Sequence, residues 1–299
     1  MQLTQTNAAI AVSAVFFLSV IMADITERTF EINGLALHTM LVGAGRPLLL
    51  LHGFTGSAAT WAGLAAQLAP QRQCIALDLI GHGKSGAPAD PARYTMEHAV
   101  QDIAGLLDVL GISRVDLLGY SLGGRLALQF AVAAPGRVRA LILESASPGL
   151  ASPAERAARI AADDALAEVI ERDGIEAFVA HWEALPLWAS QAELPAELRA
   201  RQRTQRLANR PQGLANSLRG MGTGRQRALW DMLPTLTIPT LLLAGALDAK
   251  FSAIAQQMAA TLPRADLAII AAAGHAIHLE QPEIFGQRVA VFLEQQVCT

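Results

Sequence analysis

Six short apolar runs, each bounded by turn-forming or polar residues, constrain this chain more than any other feature. They are PLLLLHGF (47–54), CIALDL (74–79), RVDLLGYS (114–121), VRALILES (138–145), IPTLLLAG (238–245) and ADLAIIAAAG (265–274). A strand with one wet face alternates apolar and polar residues; these runs stay apolar for several residues in a row. That pattern reads as buried strands of a parallel sheet covered on both faces by helices. The segments between them have helical period, as in TMEHAVQDIAGLLDVLG. At the front, TFEINGLALHTMLVG reads as an antiparallel edge hairpin with Asn33-Gly34 at its turn. The expected architecture is α/β, with a mostly parallel, doubly wound sheet.

The rhythm breaks between Leu150 and Trp230. That stretch holds no convincing strand, carries Pro153, Pro186, Pro195 and Pro211, and contains eleven of the chain's twenty-one arginines. It reads as a helical lid, residues 150–230, inserted after the sixth strand of a core formed by 23–149 and 231–299. In open α/β sheets the ligand crevice lies at the carboxyl ends of the strands, where such an insertion sits. Residues 1–22 stand apart. NAAIAVSAVFFLSVIM is apolar and uncharged, too short to span a bilayer comfortably, and lacks the basic start of a secretory signal. The simpler reading begins translation at Met22; an export or anchor segment is the alternative.

Composition narrows the function classes. With 299 residues and a net charge of −3, nothing pulls the chain toward nucleic acid or a membrane surface. Cys74 and Cys298 are too far apart in sequence to suggest a disulfide framework or a zinc spacing. The expectation is a cytoplasmic, monomeric or homodimeric protein without stable membrane insertion, without a cofactor, acting on a small molecule.

Gly119-Tyr120-Ser121-Leu122-Gly123 matches G-x-S-x-G, with a strand entering and the helix GGRLALQFAVAA leaving. Glycines permit the strained turn that lifts a serine hydroxyl above the sheet. A serine is a poor base or nucleophile alone, so an acid and then a histidine must follow. Asp248 ends the run IPTLLLAGALD, and His275 follows ADLAIIAAAG. Each would be unremarkable by itself; their order and their positions at strand ends make the trio a candidate triad. The backbone N–H groups of Phe54 and Leu122 are the expected oxyanion donors. GHGKSG (81–86) mimics a dinucleotide loop but leads into APADPARY rather than a helix, and Asp78 stands where a Walker A motif needs glycine. His275 and His278 lack the third ligand of a zinc site.

Arg125 lies one helical turn past Ser121. Helical side chains lean toward the N-terminus, so it points toward the serine's pocket if it shares that face. A buried guanidinium needs a partner, either a protein carboxylate or an anionic substrate. Lid arginines Arg159 and Arg206 could join it, and such a cluster would suit a polycarboxylate ligand held bidentately.

GYSLGGRLAL, SPGL with AERAARIAADD, HWEALPLWASQ, RLANRPQGLANSLRGMGTG, ALDAKF and AGHAIHLEQP resemble the 2-succinyl-6-hydroxy-2,4-cyclohexadiene-1-carboxylate synthases of menaquinone biosynthesis over about residues 23 to 296. Those enzymes are built on the α/β-hydrolase fold. The resemblance implies a lyase whose triad Ser121, Asp248 and His275 takes a proton from a tricarboxylate cyclohexene and expels pyruvate. It also implies Tyr120, Arg125, Arg159, Trp182 and Arg206 as pocket residues, with Arg203 a near alternative to Arg206. A hydrolase of esters or carbon–carbon bonds, using the same triad as a nucleophile, is the competing expectation; a non-catalytic binding protein on this fold is a third, weakened by the intact triad pattern.

Overall fold

The structure, a computed structural model, describes residues 25–296. The leader 1–22 lies outside the described residues. Eight strands form one sheet in the order β1-β2-β4-β3-β5-β6-β7-β8. β1 (Ile25–Ile32) and β2 (Leu35–Val42) make the edge hairpin, joined at Asn33 and Gly34, which both have positive φ (51° and 74°). That is the twist a two-residue hairpin turn requires, and asparagine and glycine adopt it at least cost. From β3 (Arg46–Leu51) onward the remaining strands run parallel: β4 (Arg72–Leu77), β5 (Val115–Tyr120), β6 (Val138–Glu144), β7 (Thr240–Gly245) and β8 (Ala265–Ile270).

The apolar runs serve two cores. Leu49 and Leu51 of β3 point into one layer, with α2 (Met96–Val109), α3 (Leu122–Ala133) and α7 (Ala249–Thr261). Leu48 and Leu50 point into the other, with α1 (Ala62–Leu68) and α9 (Pro282–Gln295), which follows the single turn α8 (Ile277–Glu280). Alternate residues of one strand thus meet opposite helix layers, which is why the strands read as unbroken apolar runs. The run at 265–274 departs from the expectation of burial. β8 is the outer strand of the sheet, and its Leu267 and Ile269 are each 37% exposed.

The helical insertion comprises α4 (Pro153–Glu183), α5 (Ala196–Leu207) and α6 (Pro211–Met221). α4 is broken at Gly174, where φ is +82° and ψ 178°. The insertion has its own small core of Ala167, Ile170, Phe178, Val179, Leu214, Ala215 and Leu218, against which Phe54 of the sheet domain packs. It is also seated on the loop after β4. A methyl group on Gly213 would come within 2.1 Å of the Gly81 carbonyl, and one on Gly220 within 2.3 Å of the Tyr94 carbonyl. Asn209 adds polar ties, donating to the Thr55 carbonyl and accepting from the Gly83 N–H. GHGKSG is therefore a loop that receives the insertion. No described helix is long and apolar enough to cross a membrane.

The chain leaves β3 for β4 on one side and returns to β5 on the other. This reversal opens a crevice at the carboxyl ends of β3 and β5, where Phe54 and Ser121 emerge.

Candidate active site

Ser121 follows β5 directly and caps α3, with φ 50° and ψ −106°. Such a backbone costs of order 1–3 kcal/mol and persists only where the surroundings enforce it. Here the Ser121 N–H donates to the Glu144 carbonyl at 2.9 Å and its carbonyl accepts from the Arg125 N–H at 2.9 Å. The flanking glycines are needed for close approach. A methyl group on Gly119 would meet the Gly123 carbonyl at 2.3 Å, and one on Gly123 the Leu51 carbonyl at 2.3 Å.

Ser121 Oγ lies 3.0 Å from His275 Nε2, and His275 Nδ1 lies 2.7 Å from Asp248 Oδ2. The other Asp248 oxygen accepts the Phe251 N–H at 3.2 Å and so caps α7. His275 is 2% exposed, edged by the rings of Phe251 (4.6 Å), Tyr120 (5.5 Å) and Trp188 (5.7 Å). With Nδ1–H held by the carboxylate, Nε2 faces the serine as an acceptor.

Leu122 opens α3, whose first N–H groups have no partner within the helix. Phe54 follows Gly53, where a methyl group would sit 3.5 Å from the Ser121 Cβ, so the β3 loop runs along the elbow. The Phe54 ring meets Trp182 edge-on at 5.3 Å, and Trp182 meets Trp188 at 5.8 Å. Tyr120 is buried. Removal from water, reinforced by nearby Glu144, holds its phenol well above the ordinary tyrosine range.

A cavity of about 50 Å³ opens beside Gly53, Phe54 and Tyr120, with Trp188, Arg206 and His278 among its walls. Arg206 donates to Glu183 Oε1 at 3.0 Å and lies over the Trp188 ring at 5.4 Å. Arg203 binds the other oxygen of Glu183 and is far more exposed, 44% against 11% at the side chain. Between the two alternatives, Arg206 is the one that reaches the cavity.

Arg125 and Arg159 form a second group. Arg125 Nη1 donates to the Met221 carbonyl at 2.8 Å and to Gln226 Oε1, and among the described residues no carboxylate lies within ion-pair distance of it. Burial pulls its pKa down to about 9, Arg159 adds to the depression, and Asp163 opposes it. Arg159 itself is bound to Asp163 at 2.8 Å and is partly exposed. The three arginines therefore stand as a pair and a singleton rather than one cluster.

Several neighbours are not singled out by sequence: Trp188, Phe251, Glu183, Gln226 and Glu144, the last of which pairs with His278, a residue weighed there only as a zinc ligand. His278 Nδ1 lies 2.9 Å from both Glu144 oxygens and the His278 N–H donates to one at 3.0 Å, so this ring is engaged by a carboxylate. An aromatic or acidic residue in a helical lid carries no local signal of where it converges; Glu144, ending a buried strand, was the one with a readable sign.

Comparison with known proteins places the chain in a family. Residues 46–282 match the family described as alpha/beta hydrolase fold. A Bacillus subtilis (strain 168) protein, provisionally named 2-succinyl-6-hydroxy-2,4-cyclohexadiene-1-carboxylate synthase, is 47% identical over 84% of this chain and 91% of its own. The enzyme of that name from Serratia proteamaculans (strain 568) is 34% identical over 84% of this chain and 94% of its own. Among solved structures, MenH from S. aureus superposes with a TM-score of 0.82 at 36% identity, covering 90% of this chain and 98% of that one. The chain belongs to the 2-succinyl-6-hydroxy-2,4-cyclohexadiene-1-carboxylate synthase family, on the alpha/beta hydrolase fold.

Proposed function

We propose that this protein is a carbon–oxygen lyase converting 2-succinyl-5-enolpyruvyl-6-hydroxy-3-cyclohexene-1-carboxylate to 2-succinyl-6-hydroxy-2,4-cyclohexadiene-1-carboxylate and pyruvate. The observation that carries this reading is the hydrogen-bonded chain Ser121–His275–Asp248, with a cavity beside it walled by the neighbours Tyr120 and Ala276 and by Arg206, and with Arg125 in no ion pair among the described residues. Family membership supports the same substrate.

The two names define the chemistry. The ring double bond moves and a second forms, so the proton lost is the one on the carbon bearing the succinyl ketone. His275 draws the proton from Ser121, and the serine oxygen takes the ring proton. Electrons flow into the new double bond, the old one shifts by one position, and the carbon–oxygen bond to enolpyruvate breaks. The proton held by His275 then passes to the departing enolpyruvate, which becomes pyruvate, so atoms balance and Ser121 and His275 return to their starting state. Negative charge develops on the ketone oxygen, where the N–H groups of Phe54 and Leu122 are suited to receive it. Tyr120 and Trp182 shape the pocket, while Arg125, Arg159 and Arg206 hold carboxylates. Residues 150–230 act as a lid that excludes water over the core 23–149 and 231–299. The protein works in the cytoplasm as a monomer or homodimer.

The test is direct. Purified protein is mixed with the enolpyruvyl substrate and pyruvate is followed by coupling to lactate dehydrogenase. Rapid pyruvate release supports the lyase; none, alongside brisk hydrolysis of simple esters, supports the hydrolase.

A further inference from the structure

Among the described residues, the guanidinium of Arg125 is gripped only by neutral groups. One is the Met221 carbonyl, the last residue of α6, where the helix end carries partial negative charge. The other is the amide oxygen of Gln226, in the turn that leaves α6. Gln226 is 3% exposed, and its own Nε2 finds no acceptor among the described residues. Space for that amide is reserved across the chain. Gly149 has φ +104°, and a methyl group there would come within 2.8 Å of Gln226 Nε2. The acid that favours the Arg125 charge, Asp163, is already bound to Arg159.

For folding alone this is a poor arrangement. Glutamate has the shape of glutamine and would pair with the cation, whereas the amide leaves a buried donor unmatched and the charge without an ion-pair partner. The geometry points to Gln226 as a positioning residue that holds Arg125 without neutralising it, so that a carboxylate of the substrate becomes its counter-ion. This rests on the lyase reading and adds the residue that keeps the charge available. A neutral oxygen fixes direction; a carboxylate there would fix direction and also occupy the fork that the substrate needs.

The experiment compares wild type, Gln226→Glu, Gln226→Met and Arg125→Ala, measuring kcat and KM for pyruvate release together with the melting temperature of each. Gln226→Glu should raise KM about tenfold or more, change kcat less, and melt at or above the wild-type temperature. Gln226→Met, which keeps the volume but removes the acceptor, should melt lower and raise KM by a smaller factor. A residue with a merely structural role would not separate KM from stability in opposite directions. The inference is overturned if Gln226→Glu keeps KM within about twofold of wild type while Arg125→Ala is impaired. Should Gln226→Glu fail to fold, a wild-type KM in Gln226→Met overturns it equally. If wild type releases no pyruvate, the lyase reading has failed, and this inference falls with it.

Discussion

Asp248 holds two neighbours with two oxygens, and asparagine separates those jobs. Oδ2 lies 2.7 Å from His275 Nδ1, and Oδ1 accepts the Phe251 N–H at 3.2 Å. In Asp248→Asn the amide nitrogen must face one of them. Turned toward Phe251, it sets donor against donor and forfeits the helix cap, at about 1 kcal/mol. Turned toward His275, it requires Nδ1 to be an acceptor, which moves the ring proton to Nε2. Neutral imidazole tolerates that exchange cheaply, and Nε2–H can still donate to Ser121 Oγ, so the second arrangement wins. Its ring then has no lone pair for the serine proton. Turnover should fall by about 10²–10⁴, equivalent to roughly 2.7–5.4 kcal/mol of barrier. The cap survives, so the melting temperature should stay near wild type. Asp248→Ala loses both contacts and should melt about 2–4 °C lower for the missing cap. Coupled pyruvate release and thermal denaturation on the same preparations check both numbers. An Asp248→Asn enzyme with wild-type melting and a kcat within about tenfold of wild type would refute the tautomer argument.

Ser121→Ala should lose a similar factor of about 10²–10⁴ in turnover, and wild type mixed with substrate should show neither a burst nor a mass adduct on Ser121; a trapped acyl-serine would mark a hydrolase. Arg125→Ala should lower kcat/KM by about 30- to 5,000-fold, corresponding to roughly 2–5 kcal/mol for an unpaired desolvated charge, and Arg125→Lys should recover part of it. Arg206→Ala should impair kcat/KM clearly more than Arg203→Ala, since only Arg206 borders the cavity; equal losses would argue for a shared structural role through Glu183. Acid should destabilise the fold through two buried histidines. His52 titrates at about 4 and His82 at about 3 because burial disfavours their charged forms, while the unfolded chain titrates near 6.5. Below that value the unfolded state binds more protons, so each contributes a loss of about 1.4 kcal/mol per pH unit as pH falls from 6.5 toward its folded pKa. Denaturant melts of wild type and His82→Asn between pH 7 and pH 5 should show a shallower slope in the variant.

The strands were legible because burial on both faces writes itself into consecutive residues, and the hairpin because asparagine and glycine mark a turn needing positive φ. β8 read as buried by its composition, yet it is an edge strand; no feature of ADLAII announces that no further strand follows beside it. Asp248 and His275 could be located because strand ends in a parallel sheet share one edge. The lid was legible only as helical. Whether Arg203 or Arg206 faces inward depends on how α5 is rotated by its contacts with Ser57, Thr60, Thr55 and Gly83, made by Gln205 and Asn209. The pairing of Arg125 with Gln226 spans 101 positions and two elements, beyond the reach of any local pattern.

The place of the insertion also sets an order of assembly. β6 and β7 are neighbours in the sheet but lie roughly 95 residues apart in the chain, so their pairing closes the fold's longest loop between adjacent parallel strands. Loop entropy makes that a late step relative to the β3–β6 block. Pulse-labelled hydrogen exchange during refolding should therefore protect β7 amides after those of β5; simultaneous protection would contradict this. During synthesis the elbow serine emerges long before the acid and base that activate it. The chain thus carries its reactive hydroxyl through most of its own birth in an inert form, and acquires chemistry only when the last strands dock.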